Sequence, residues 1–266
     1  MKVFVIDLHR CNGCHNCQIA CKDEHVGNDW SPYTKPQPDT GHFWCKVNQK
    51  TSGQIPKVRL EYTPRLCNHC EKCVLEEKFP DIVYTRKDGL VIIDPEKSKG
   101  HKEFVEMCPN DSVFWNEQLQ IPQKCTGCAH LVDADEKPHC VDLCPTQALR
   151  FGDIEEFENE LQEATFIGSS ELNPHVYYLN VPGLFISGDV WSFEDDEVII
   201  GAQVTLESSD GSILKQQTDG FGDFWFEHLS AGSYVLHVCA DGYKSVSKNI
   251  ELSDSLNAGD FPLEKI

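Results

Sequence analysis

Apolar and polar positions change rhythm near residue 180. Before it, apolar runs are short. K-V-F-V-I-D (residues 2–7) and D-G-L-V-I-I-D (residues 88–94) each predict a short strand. Long polar loops separate such runs, and Gly27 to Gly41 is rich in Pro, Asp and Ser. Asp153 to Glu163 predicts a short acidic helix. Beyond residue 180 the pattern alternates with period two. G-L-F-I-S-G-D-V, V-I-I-G-A-Q-V-T-L, F-W-F-E-H-L and Y-V-L-H-V-C-A follow one another, separated by Asp-Gly and Gly turns. Short alternating runs with turn signals roughly every 8–12 residues predict an all-β sandwich or barrel.

Charge supports a division at that point. Residues 181–266 hold 4 Lys+Arg and 15 Asp+Glu, net −11, against 19 and 28, net −9, for residues 1–180. Two domains are expected, 1–180 and 181–266. The 266 residues, 40% hydrophobic, can bury a real core, and no apolar run approaches the roughly 18–20 residues of a membrane span. A net charge of −20 argues against nucleic acid as a ligand. The start, M-K-V-F-V-I-D-L-H-R-C, has neither a secretory apolar region nor a twin-arginine pair. A cytoplasmic protein without a membrane anchor is expected, unless a partner carries the export signal.

Cysteine is the unusual residue. Of 14, thirteen lie before residue 145 and only Cys239 follows. Disulfide frameworks belong to small secreted chains, whereas these cysteines cluster at metal-ligand spacing. C-N-G-C-H-N-C-Q-I-A-C gives Cys11, Cys14, Cys17 and Cys21, a C-x2-C-x2-C-x3-C run. Tetrahedral zinc wants two pairs separated by a loop. Three closely spaced thiolates followed by a fourth suit [4Fe–4S] clusters. The fourth cysteine begins a helix leading away and ligates the other cluster of a two-cluster module.

A second run must then supply the missing ligand. It is C-T-G-C-(x11)-C-V-D-L-C-P, with Cys125, Cys128, Cys140 and Cys144. Cross-ligation closes two sites: Cys11, Cys14, Cys17 and Cys144 for one cluster, Cys21, Cys125, Cys128 and Cys140 for its neighbour. The middle run C-N-H-C-E-K-C offers Cys67, Cys70 and Cys73, but Phe79 stands where its fourth cysteine would fall. Its completing ligand is the solitary Cys108. A cluster loop ending at Cys108 would place ligands at 98, 101 and 104, which are Ser98, His101 and Phe104. One site of the second module has therefore lost all four ligands, and twelve cysteines make three [4Fe–4S] clusters. The competing reading keeps His101 as a ligand; two phenylalanines among the four positions favour an apolar plug instead.

Cys45 and Cys239 have no partners at ligand spacing and are expected as packed thiols. His15, His69 and His130 lie in or beside the cysteine loops, either bonding cluster sulfur or serving as ordinary loop polarity. Nucleotide loops and Ser/His/Asp arrangements are absent, so no catalytic side chain is expected.

With C-x2-C-x2-C-x3-C-K at Cys11–Lys22, the middle C-x2-C-x2-C, the strand D-G-L-V-I-I-D, and C-x2-C-x11-C-x3-C-P-T at Cys125–Thr146, the first 165 or so residues resemble the iron–sulfur subunits of the dimethyl sulfoxide reductase (molybdopterin oxidoreductase) family. Members usually carry four clusters, so Phe79, Ser98, His101 and Phe104 are departures. Thr218 to Val238 is similar to the core of Cna-B or transthyretin-like β modules. The resemblance implies an α+β chain: two ferredoxin-like [4Fe–4S] modules, then the β sandwich or barrel. It also implies a large catalytic partner holding molybdenum on two molybdopterin guanine dinucleotides, as a heterodimer or higher oligomer. Two further readings are a relay subunit of a respiratory molybdenum reductase of polysulfide or nitrite type, and a docking module with structural clusters.

Overall fold

Val3, Phe4, Val5 and Ile6 are all buried, so strand β1 (Lys2–Asp7) is covered on both faces. Strand alternation sends Phe4 and Ile6 into a core shared with Trp44, Leu90 and Tyr178, and Val3 and Val5 toward Phe157 and Leu179. The computed structural model describes residues 1–266. They pack as two units, Met1–Gln49 with Tyr62–Val181, and Lys50–Glu61 with Pro182–Ile266.

After β1 come α1 (Asn16–His25), the hairpin β2 (Lys46–Gln54) and β3 (Lys57–Arg65), and α2 (Val74–Lys78). The pair β4 (Val83–Thr85) and β5 (Val91–Ile93) precedes α3 (Phe104–Met107), and β6 (Phe114–Asn116) pairs with β7 (Ile121–Gln123). Then follow α4 (Ala129–Val132), α5 (His139–Asp142), β8 (Leu149–Asp153), α6 (Glu158–Leu161) and β9 (Val176–Leu179). β1 is central in a three-stranded sheet, antiparallel to β8 and parallel to β9. The acidic helix expected over 153–163 is shorter and mixed: a 3-10 turn, Ile154–Phe157, runs into α6. Asp153 and Glu156 form a reciprocal capping box at its start.

Helices α2 to α5 have four or five residues each, too short to persist by propensity. Each adjoins or contains a cysteine of the motifs. Helix α1 starts at Asn16 rather than at Cys21, where the spacing places the helix start. Cys17 and Cys21 consequently lie one turn apart on the buried stripe, with Ala20 and His25.

The second unit holds two four-stranded sheets around one core that includes Ile186, Val204, Phe224, Leu236 and Phe261. Strand β10 (Leu184–Ser192) pairs with β11 (Glu197–Val198), β14 (Asp223–Leu229) and, in parallel, β17 (Leu256–Leu263). The other sheet runs β13 (Ile213–Gln217), β12 (Gln203–Ser208), β15 (Gly232–Cys239) and β16 (Val246–Leu252). In β15, Tyr234, Leu236 and Val238 face inward, so the alternation turns Cys239 to solvent. It is an exposed thiol, not the packed one expected from its apolar neighbours. Residues 50–61 also belong to this unit, although the composition change suggested a cut at 180 alone. Lys57 Nζ pairs with Asp189 (2.8 Å) and Asp223 (2.5 Å), and the Asn257 N–H donates to Gln54 Oε1 at 2.6 Å. The hairpin is mostly exposed, and the alternating Val58 and Leu60 of its second strand face solvent.

Candidate iron–sulfur centres

Three cysteine loops share one local conformation. The residue before the second cysteine of each run has positive φ: Gly13 at 70°, His69 at 45° and Gly127 at 65°. Glycine enters this region without steric cost. Here space requires it as well, since a Cβ on Gly13 would meet the Tyr62 ring at 2.4 Å and one on Gly127 the Leu90 side chain at 2.6 Å. His69 occupies the same position by other means. It is fully buried, and its Nδ1 accepts the Val91 N–H at 3.0 Å. The turn aims each backbone amide at sulfur: His69 N–H donates to Cys67 Sγ (3.4 Å) and Gly127 N–H to Cys125 Sγ (3.3 Å). The Gly13 amide does the same for Cys11.

The thiols gather in three sets. Burial raises the Cys11 thiol, and Cys17, Cys144 and Cys14 add repulsion to it. Burial pushes Cys21 well up, with Cys125, Cys128 and Cys140 as its charged neighbours. Burial pushes Cys70 up to about 12, joined by Cys67, Cys73 and Cys108. None of the fourteen cysteines forms a disulfide. Four thiols crowded and buried resist ionisation on their own, because each thiolate raises the cost of the next. A cationic iron core removes that penalty, since thiolate is its ligand. The third set also lines a cavity with Leu75, Val91, Asn110 and Val113. Asn110 Nδ2 donates to Cys70 Sγ at 3.7 Å. The donor chemistry and the cradle of amides both fit a [4Fe–4S] cluster.

Phe79, Ser98, His101 and Phe104, the four departures from the cysteine pattern, lie together. Phe79, His101 and Phe104 pack against one another, tilted or edge-on, with ring centroids 4.9–5.4 Å apart. Phe104 and Ser98 are fully buried, and the His101 N–H donates to the Ser98 carbonyl at 3.1 Å. His101 Nδ1 lies 2.8 Å from Glu103 Oε1. Leu75, Val83, Val91, Ile93 and Val113 complete this apolar cluster.

Several residues at the sulfurs carry no motif signal. Cys45 is buried with its sulfur between those of Cys17 and Cys140; hydrogen bonding to both raises the Cys45 thiol well above its ordinary value, and its S–H in turn lowers Cys17. His25 Nε2 lies 3.7 Å from Cys128 Sγ, with its ring tilted against Trp44 at 4.7 Å between centroids. Of the histidines read from sequence, His130 pairs with Glu24 (2.9 Å) and stacks on Trp30. His69 takes its bond from Val91, and His15 forms the left-handed start of α1. Only the cysteines have a spacing that sequence can register; Cys45 and His25 reach the sulfurs through the fold.

Comparison with known proteins agrees with this chemistry. Residues 58–154 match the 4Fe-4S dicluster domain family. The chain is 35% identical over 269 residues to the pyrogallol hydroxytransferase small subunit of Pelobacter acidigallici, covering 94% of each. It is 32% identical over 172 residues to the B chain of the anaerobic dimethyl sulfoxide reductase of Escherichia coli, covering 59% of this protein and 76% of that one. The chain belongs to the iron–sulfur subunits of the dimethyl sulfoxide reductase family. The B subunit of the tetrathionate reductase of Salmonella typhimurium is a further relative, 31% identical over 199 residues, with 69% and 74% covered. The β region of this iron–sulfur subunit, residues 186–263, matches the carboxypeptidase regulatory-like domain family. These relatives are named as small or B subunits of multi-subunit enzymes, which makes this chain an iron–sulfur electron-transfer subunit of such a complex, with a catalytic partner subunit implied. No helix in it is long and apolar enough to cross a membrane.

Proposed function

We propose that this iron–sulfur subunit carries three [4Fe–4S] clusters for a molybdopterin-containing partner of the pyrogallol–phloroglucinol transhydroxylase type. The clusters are held by Cys11, Cys14, Cys17 and Cys144; by Cys21, Cys125, Cys128 and Cys140; and by Cys67, Cys70, Cys73 and Cys108. Bound clusters supply one-electron transfer. This chain's residues supply thiolates, amide donors to sulfur and exclusion of water. No side chain here is assigned to bond making; the active site, with molybdenum on two molybdopterin guanine dinucleotides, belongs to the partner in a cytoplasmic heterodimer.

The transhydroxylase reading is carried by one observation: the 35% identity runs through 94% of both chains, β region included. The count of three is supported by the Phe79–His101–Phe104 packing, which fills the volume a fourth cluster would need. Hydroxyl transfer between trihydroxybenzenes has no net electron change, so the relay's task is to set the oxidation state of the partner's molybdenum. Iron analysis and electron paramagnetic resonance on the anaerobically purified complex test the reading. About 12 iron atoms per chain follow from three cubanes, and about 16 would mean the fourth site is filled. A complex without molybdenum, or one inactive on trihydroxybenzenes but active as a reductase of sulfur or nitrogen oxyanions, would overturn the transhydroxylase assignment.

A further inference from the structure

Lys124 is a buried cation without a carboxylate. It is 4% exposed. Its Nζ donates to the carbonyls of Val91 (2.5 Å) and Cys125 (3.0 Å), and no acidic side chain comes within ion-pair distance. The contrast with Lys57 is direct, because that buried lysine is held by two aspartates. A charge removed from water and left unpaired is costly enough that buried cations are normally matched by an anion. Carbonyl dipoles solvate an ammonium but do not neutralise it.

What the chain places beside Lys124 is sulfur. Lys124 lines the cavity of Cys67, Cys70, Cys73 and Cys108. Its charge favours the thiolates of both Cys73 and Cys125. These belong to different thiol sets, and Cys67 of the first set in turn raises Cys125 of the other. The other polar group near by, His69, is kept neutral by burial and by Lys124 itself. A cubane with four thiolates is an anion in both oxidation states and gains one further negative charge on reduction. A fixed positive charge stabilises the reduced form more, which is one of the ways a protein sets cluster potential.

We propose that Lys124 is the fixed countercharge of the cluster held by Cys67, Cys70, Cys73 and Cys108, and that it keeps this cluster more reducible than it would otherwise be. Lys124 is a positioning residue in this role: it acts through the field at the cluster and touches no substrate. The inference rests on the three-cluster reading and deepens it.

Redox titration of the complete complex, followed by electron paramagnetic resonance, tests it. The relevant signal is the one missing from Cys108→Ser. In Lys124→Gln, which keeps N–H donors and removes the charge, the reduction equilibrium of that signal is expected to shift at least tenfold toward the oxidised form. That corresponds to about 59 mV for a one-electron couple. Lys124→Arg, which restores the charge, is expected to titrate within threefold of the unaltered protein. Full iron with unshifted titration in Lys124→Gln overturns the proposal, as does an equal shift in Lys124→Arg. Loss of that cluster's iron from Lys124→Gln but not from Lys124→Arg supports it, because charge is then needed to hold the cluster; equal loss from both assigns Lys124 to packing and overturns it. If Cys108→Ser removes no signal, the three-cluster reading fails first and the inference falls with it.

Discussion

Two residues show how much a single side chain, or its absence, decides at the sulfurs. Gly127 must hold φ near 65° with Leu90 against it, and Leu90 is itself 1% exposed. Gly127→Ala adds left-handed strain and displaces the buried Leu90 side chain. A loss of about 1–3 kcal/mol is expected, together with iron loss, and thermal unfolding with iron analysis measures both. His25 illustrates burial. Its pKa is pushed down to about 3 by desolvation first, then by His130 and His139. Unfolded, it takes a proton near 6.5, so the unfolded chain binds the extra proton between those values. Stability present above pH 6.5 is lost as pH falls toward 3, by about 1.4 kcal/mol per pH unit from this group alone. Urea unfolding of the loaded complex at pH 7 and pH 5 is expected to show that loss, and His25→Gln to flatten it.

Among the elements, the short helices α2 and α3 are the informative pair. One ends at Phe79 and the other begins at Phe104, so their junction is the aromatic packing. Neither helix has the length to stand alone, and the rings take over the tethering that cluster ligands would provide. Phe104→Ala is expected to cost about 3–5 kcal/mol, read by denaturant unfolding of the loaded chain, because the ring is fully buried among Leu75, Val83 and Ile93. The signals of the two clusters proposed at Cys11, Cys14, Cys17 and Cys144 and at Cys21, Cys125, Cys128 and Cys140 are expected to persist. The cysteine motifs were legible in the sequence because ligand spacing is a local constraint, and the proposed loss of one ligand set was read from the same spacing. The hairpin β2–β3 was not: K-V-R-L-E-Y-T-P-R alternates with period two, but the alternation does not follow burial, since Val58 and Leu60 are 44% and 51% exposed.

At the scale of the whole molecule, the two units are stabilised by different means. The second has a core of aliphatic and aromatic side chains on two sheets. In the first, cysteines contribute to the main core itself, and the proposed ligand sets join residue 11 to 144, 21 to 140 and 67 to 108. Metal binding of this kind is folding energy. Oxidative removal of the clusters with a chelator is therefore expected to expose residues 1–49 and 62–181 to proteolysis while 182–266 stays protected. Limited proteolysis with mass spectrometry reads the pattern, and equal protection of both regions after iron loss would contradict it.

The order of the cysteines, the alternation of the β region and the four departures at Phe79, Ser98, His101 and Phe104 are properties of neighbouring positions, and the sequence determined them by itself. Spacing dictates which thiols can share a loop, and period two dictates which side of a strand is buried. Tertiary structure alone decided what stands around the sulfurs. Cys45 reaches Cys17 and Cys140 from a separate segment, His25 reaches Cys128 across about a hundred residues, and Lys124 faces the cavity of Cys67 to Cys108. It also placed the tip of the β2–β3 hairpin with the β sheets and turned Cys239 outward. The physical reason is that burial and electrostatic pairing are set by distance in space, and only the folded chain brings residues remote in sequence within that distance.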